Sequence, residues 1–117
     1  MSSEVAALAL GYEYSMVLKT DGSLWATGRN EHGQLGDGTI TQKLNFVKVL
    51  SGGVTAVAAS YYHSMVVKQD ASLWATGRNR YGELGDGTTN TDRTAFVKVI
   101  SGVLNLNPKP YALNPKP

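Results

Sequence analysis

Sixteen residues of this chain are written twice. Ser23–Gly38 reads SLWATGRNEHGQLGDG, and 49 residues further on Ser72–Gly87 reads SLWATGRNRYGELGDG. Only Glu31, His32 and Gln34 change, to Arg80, Tyr81 and Glu83. From Val5 to Leu44 the second copy matches the first at 23 of 40 positions without a gap, and Phe46–Leu50 then aligns with Phe96–Ile100 at an offset of 50. The extra residue falls in the polar stretch from Thr88 to Thr94, where a surface loop tolerates it. Self-similarity at a period near 50 residues means a tandem array, in which each unit buries its apolar face against a neighbour. The expected organisation is one repeat over residues 1–53, a second over 54–102, and a remainder over 103–117.

Each repeat divides into four short strand candidates. They are Ala6–Leu10, Ser15–Lys19, Ser23–Gly28 and Phe46–Leu50, matched by Thr55–Ala59, Ser64–Lys68, Ser72–Gly77 and Phe96–Ile100. All are rich in apolar and β-branched residues and bounded by Gly, Asp, Asn or Ser, and none has the length or period of a helix. Strand alternation sends Met16 and Leu18 to one face and Val17 and Lys19 to the other. Asp21-Gly22 between two strands predicts a type I′ hairpin turn. In the second repeat Asp70-Ala71 stands there, so either the turn type differs or this hairpin loses roughly 1 kcal/mol. A four-stranded unit of this length, repeated in tandem, is the sequence form of a propeller blade. The predicted fold is all-β: two four-stranded antiparallel blades, a partial third-blade strand, and an extended Pro-rich tail. Its predicted blade core is Met16, Leu18, Trp25, Leu35, Met65, Trp74 and Leu84, with both tryptophans largely buried and the two leucines of the glycine-rich stretch plugging their loops onto the core.

The segments YSMVLKTDGSLWATGRNEHGQLGDGT and HSMVVKQDASLWATGRNRYGELGDGT resemble the regulator of chromosome condensation repeat. That repeat has His-Ser leading an apolar strand, an Asp-Gly turn, an aromatic strand ending in Gly, then Asn-x-x-Gly-Gln-Leu-Gly. The resemblance covers about Val5–Gly102 and implies blades like those of a seven-bladed propeller. Two departures stand out. Thr27 and Thr76 precede the strand-ending glycine where the family often has Trp, and Tyr14 takes the place of His63. The chain also carries two repeats where such a ring needs about seven, which leaves a face of each sheet bare.

Candidate chemistry weighs towards structure. His63-Ser64 has no partner set for a hydrolytic triad, and the resemblance implies a blade-stabilising imidazole hydrogen bond instead. His32 reads as a solvent-facing loop residue. Asp37-Gly38-Thr39 and Asp86-Gly87-Thr88 offer one carboxylate each, too few for calcium, and read as aspartates capping their own turns. Gly33-x-x-Gly36-x-Gly38 lacks the helix or Lys-Ser/Thr pair of a phosphate loop. Arg29 and Arg78 read as stacking on aromatics or pairing with Asp37 and Asp86. No catalytic, cofactor or metal residue is assigned, and no cofactor is expected.

Composition narrows the partners. The chain is 42% hydrophobic and 17% charged, has no cysteine, and has a net charge of +2 with its basic residues scattered. That argues against a disulfide scaffold and gives no patch for nucleic acid. No apolar run approaches the roughly 20 residues of a membrane-spanning helix. Val5–Leu10 is too short for a signal-peptide core, so a soluble chain of unassigned compartment is expected. Val103–Leu106 reads as the first strand of an unfinished blade, followed by a tail with NPKP twice. An assembly interface is expected at Val103, Leu104, Leu106, Pro108, Tyr111 and Leu113. The expected function is a non-enzymatic repeat protein that binds itself, closing into a ring or growing as a filament by blade packing and arm exchange. The alternatives are a lectin-like or peptide-binding module, and part of a larger propeller with an exchange-factor or chromatin-binding role.

Overall fold

The computed structural model describes residues 4–101. These form two four-stranded antiparallel sheets in meander order, β1-β2-β3-β4 and β5-β6-β7-β8, with no helix among the described residues. The first sheet comprises β1 (Val5–Leu10), β2 (Tyr14–Lys19), β3 (Leu24–Gly28) and β4 (Lys43–Leu50). The second comprises β5 (Val54–Ala59), β6 (His63–Lys68), β7 (Leu73–Gly77) and β8 (Arg93–Ile100). The outer strands start three residues before the Phe46 and Phe96 predicted from the apolar run. Lys43 and Arg93 already pair with Gly28 and Gly77, and backbone pairing does not need an apolar side chain.

The hairpin between β2 and β3 is not type I′. Gly22 N–H donates to the Lys19 carbonyl (2.9 Å) and Lys19 N–H to the Ser23 carbonyl (3.0 Å). Only Gly22 has positive φ, at 83°. This is a three-residue loop, a type I turn followed by one left-handed residue. Asp21 holds it by accepting from the Ser23 amide (2.9 Å) and hydroxyl (2.6 Å). The second sheet keeps the same turn: Ala71 N–H donates to the Lys68 carbonyl (2.8 Å), and Ala71 itself sits at φ 68°. The open alternative therefore resolves to one turn type, with alanine strained in the left-handed position.

One core lies between the sheets. Ala9, Tyr14, Met16, Leu18, Leu24, Ala26 and Leu35 from the first sheet and its loop pack with Val54, Val66 and Phe96 of the second. Met16, Leu18, Leu35 and Leu84 are buried, whereas Met65 is half-buried. Trp25 and Trp74 are also half-buried, Trp74 packed against the core, and lysines cover both rings. Trp25 lies between the ammonium groups of Lys19 (5.2 Å) and Lys48 (5.5 Å), and Trp74 between those of Lys68 (3.7 Å) and Lys98 (6.0 Å). Each ammonium gains from the negative face of the ring it covers. Lys19 is itself buried together with Val17, so β2 is covered on both faces.

Candidate functional site

The glycine-rich loop between β3 and β4 reaches from the first blade across to the second. Asn30 organises it. The buried Asn30 Oδ1 accepts from Leu35 N–H (3.0 Å), while its Nδ2 donates to the carbonyls of Thr39 (2.9 Å) and Thr41 (3.1 Å) and to Asp37 Oδ1 (3.2 Å). Asn79 repeats the pattern with Leu84 N–H (3.1 Å), Thr88 and Asp86. Asp37 accepts from the amide (2.9 Å) and hydroxyl (2.7 Å) of Thr39, and Asp86 likewise from Thr88, so each aspartate caps its own turn. Burial pushes the Asp37 carboxyl up, but the Thr39 and Asn30 hydrogen bonds outweigh it and the net direction is down. The Thr88 hydroxyl, and then the Arg93 guanidinium (2.7 Å), hold Asp86 well below the usual carboxylate range. Of the two alternatives for the arginines, stacking on aromatics holds and pairing with Asp37 and Asp86 does not. Arg29 pairs with Glu13 (2.7 Å) and Glu31 (2.6 Å) and stacks over Tyr12, and Arg78 stacks over Tyr62 and Tyr81.

With the loop fixed in this way, its glycines press on the second blade. A methyl group on Gly36 would collide with the Phe96 ring, and one on Gly33 would stand 2.5 Å from Thr94 Cα. Polar stitches line the same seam. Gly38 N–H donates to the Thr94 carbonyl (2.7 Å), the Thr76 hydroxyl reaches the Gly33 carbonyl (2.7 Å), and Ser64 Oγ reaches the Gln34 carbonyl (2.9 Å). Tyr14 crosses as well: its hydroxyl donates to the His63 carbonyl (2.6 Å) and lies 2.7 Å from Ser64 Oγ. Burial raises its pKa, so this donor stays protonated. His32 is not a free loop residue. It is half-buried on the Tyr62 ring, 2.9 Å from Asp92 across the blades, because blade two's outer loop closes over it. The His63 imidazole makes no hydrogen bond among the described residues. It is half-buried, and burial lowers its pKa.

Each blade presents the same two faces, and among the described residues nothing covers one of them in each blade. Val54 is 4% exposed and its counterpart Val5 is 55%, while Phe96 is 9% exposed and Phe46 is 38%. On the opposite face Met16, Leu18 and Leu24 are buried, and their counterparts Met65, Val67 and Leu73 are only half-buried. Nothing lies within 4 Å of a methyl group placed on Gly85, the counterpart of Gly36. The difference is position and not chemistry, since Phe, Val and Gly recur unchanged. Sequence reading did not single out Asn30, Asn79, Tyr14 or the Phe46/Phe96 pair as joining blades. For Asn30/Asn79 and Phe46/Phe96 the signal was identity between repeats at polar or aromatic residues, and Tyr14, which aligns with His63, carried no such signal. The predicted interface at Val103, Leu104, Leu106, Pro108, Tyr111 and Leu113 lies outside the described residues. Among the described residues, no group of three His, Asp or Glu is placed to hold a metal ion, and no helix is long and apolar enough to cross a membrane.

Comparison with known proteins agrees with this geometry. Two family models, both described as the regulator of chromosome condensation (RCC1) repeat, match residues 21–67 in one case and residues 5–34 and 54–83 in the other. No curated protein matches the chain. Among solved structures, human WBSCR16 is 24% identical, with a TM-score of 0.74 over 84% of this chain and 26% of that one. Prp20p of Saccharomyces cerevisiae, described with its binding properties to Gsp1p and histones, is 21% identical, with a TM-score of 0.71 over 84% of this chain and 26% of its own. Yeast RCC1 (Prp20) bound to Kap60 superposes with a TM-score of 0.72 at 21% identity, over 85% of this chain and 25% of that one. The chain thus spans about a quarter of the length of the propellers it resembles. It belongs to the regulator of chromosome condensation repeat family.

Proposed function

We propose that this protein is a non-enzymatic interaction module that assembles head to tail, the glycine loop of blade two in one molecule docking on the Phe46 face of blade one in the next. The observation that carries this reading is the matched pair of faces. The loop over residues 79–87 repeats the one that already seals blade one to blade two, and Ser15, Thr27 and Phe46 repeat the Ser64, Thr76 and Phe96 that receive it. A contact between two different faces is heterologous, so it closes into a ring where the rotation allows and otherwise grows as a filament. Exposed apolar residues on the bare faces, Val5, Leu44 and Phe46, favour covering them.

Light scattering over a range of concentrations tests the proposal. The parent should gain mass with concentration, and Phe46→Asp should remain monomeric. A second reading follows from the share of each propeller that the chain covers: the two blades complete a ring together with blades of other sequence. A parent that stays monomeric at every concentration supports that reading and overturns self-assembly.

A further inference from the structure

Arg29 and Arg78 are the same residue of the repeat, yet only one of them is neutralised. In blade one Glu31 Oε1 (2.6 Å) and Glu13 Oε1 (2.7 Å) clamp the Arg29 guanidinium. In blade two the counterparts of Glu13 and Glu31 are Tyr62 and Arg80. The two exchanges remove both acids and add a second guanidinium. Among the described residues no carboxylate pairs with Arg78 or Arg80.

The two arginines, with Tyr62, His32, Asn90 and Asp92, line an open cleft of about 470 Å³ at the seam of the blades. Asp92 faces the same cleft but forms no ion pair with either arginine: its Oδ1 accepts from Asn79 N–H (3.0 Å) and its Oδ2 lies 2.9 Å from His32 Nδ1. Arg78 is held in place by stacking, its guanidinium 5.3 Å from the Tyr62 ring and 5.9 Å from that of Tyr81. A stacked guanidinium keeps its in-plane N–H donors free for a carboxylate. Beside the cleft Tyr61 stacks on Tyr12 (5.2 Å) and meets Tyr62 edge-on (5.8 Å), forming an aromatic ledge that is largely open to solvent at Tyr61. Rigid tyrosines next to arginine are the residue types that dominate binding energy in protein interfaces.

We infer that this cleft is a binding site for an acidic, extended segment of a partner protein, with Arg78 and Arg80 taking its carboxylates and the tyrosine ledge taking its apolar side chains. Charge complementarity selects the occupant. With only two unpaired arginines and Asp92 in the same wall, the site suits one or two carboxylates rather than a continuous phosphate backbone, which calls for a longer basic stripe. All the residues involved come from one chain, so the site does not depend on self-assembly.

The test is fluorescence anisotropy with a labelled ten-residue peptide rich in Asp, Glu and Leu, read on the full-length chain. The peptide should bind the parent. Arg80→Glu, which restores the acid found in blade one, and Arg78→Gln should each weaken it roughly tenfold or more. Arg29→Gln, outside the cleft, should bind as the parent does, and thermal melts should show all three variants folded. No binding to the parent, or undiminished binding to Arg80→Glu, overturns the site. A thymidine oligonucleotide of matched charge that binds more tightly than the peptide overturns the assignment to a protein segment.

Discussion

Phe96 packs against Gly36, close enough that a single methyl group on the glycine would collide with its ring. The two residues belong to different blades, and this contact joins them. The same two residue types recur as Phe46 and Gly85, each without its partner among the described residues. Glycine at this point of the loop serves close approach as well as its positive φ of 77°.

Gly36→Ala and Gly85→Ala should therefore behave differently. Both place alanine in a left-handed conformation, which costs about 1–2 kcal/mol. Gly36→Ala also overpacks the blade seam, adding about 1–3 kcal/mol. Chemical denaturation should show Gly36→Ala as clearly the less stable variant, with Gly85→Ala losing only the conformational cost in a dilute sample.

Ala71 carries a strain that its counterpart Gly22 avoids. Relief of the left-handed alanine exceeds the extra freedom that glycine gains in the unfolded chain. Ala71→Gly should stabilise the protein by roughly 0.5–1 kcal/mol. The reverse change, Gly22→Ala, should destabilise it by more, because a methyl group there would also stand 2.9 Å from the Gly53 amide nitrogen. Denaturant midpoints decide both.

Asn30→Ala should cost about 1–3 kcal/mol for each buried group it leaves without a partner, beginning with the Leu35 amide. Asn30→Asp keeps that acceptor but turns the Nδ2 contact with Asp37 Oδ1 (3.2 Å) into one between two carboxylates. Its deficit should shrink as acid protonates one of the pair, whereas that of Asn30→Ala should not.

Stability should fall with acid in two stages. Burial lowers the His63 pKa, so the unfolded chain takes up this proton first, and stability begins to drop below the ordinary value of 6.5. Asp86 and Asp37 are held low in the fold, so their contribution is complete above the ordinary 3.8 and is lost as pH falls below it. Asp86→Asn should flatten the second stage and leave the first in place, as thermal melts between pH 7 and pH 2 would record.

Much of the fold was legible because the repeat aligned each strand with a second copy of itself. Val, Leu and Met bounded by Gly and Asp marked β2 and β6, and Leu35 and Leu84 stood out as lone apolar residues in polar loops. Other features were hidden in the third dimension. The lysines that cover Trp25 and Trp74 come from strands next to them in the sheet, which a linear pattern does not align. Asn30 looked like a loop residue because its partners lie up to 11 positions away. His32 and Asp92, 60 residues apart, meet only because the blades stack. At Asp21-Gly22 the dipeptide marked a turn correctly, but one left-handed residue was enough where two were expected.

Self-assembly through one loop and one face is tested most directly by complementation. Phe46→Asp removes the receiving face and keeps the loop; Gly85→Ala blocks the loop and keeps the face. Sedimentation of each variant alone, and of an equimolar mixture, separates the outcomes. Head-to-tail docking predicts two monomeric variants whose mixture forms a one-to-one dimer and stops there, since neither remaining surface can extend the chain of contacts. Either variant assembling alone as the parent does, or a mixture that stays monomeric while the parent assembles, would contradict it.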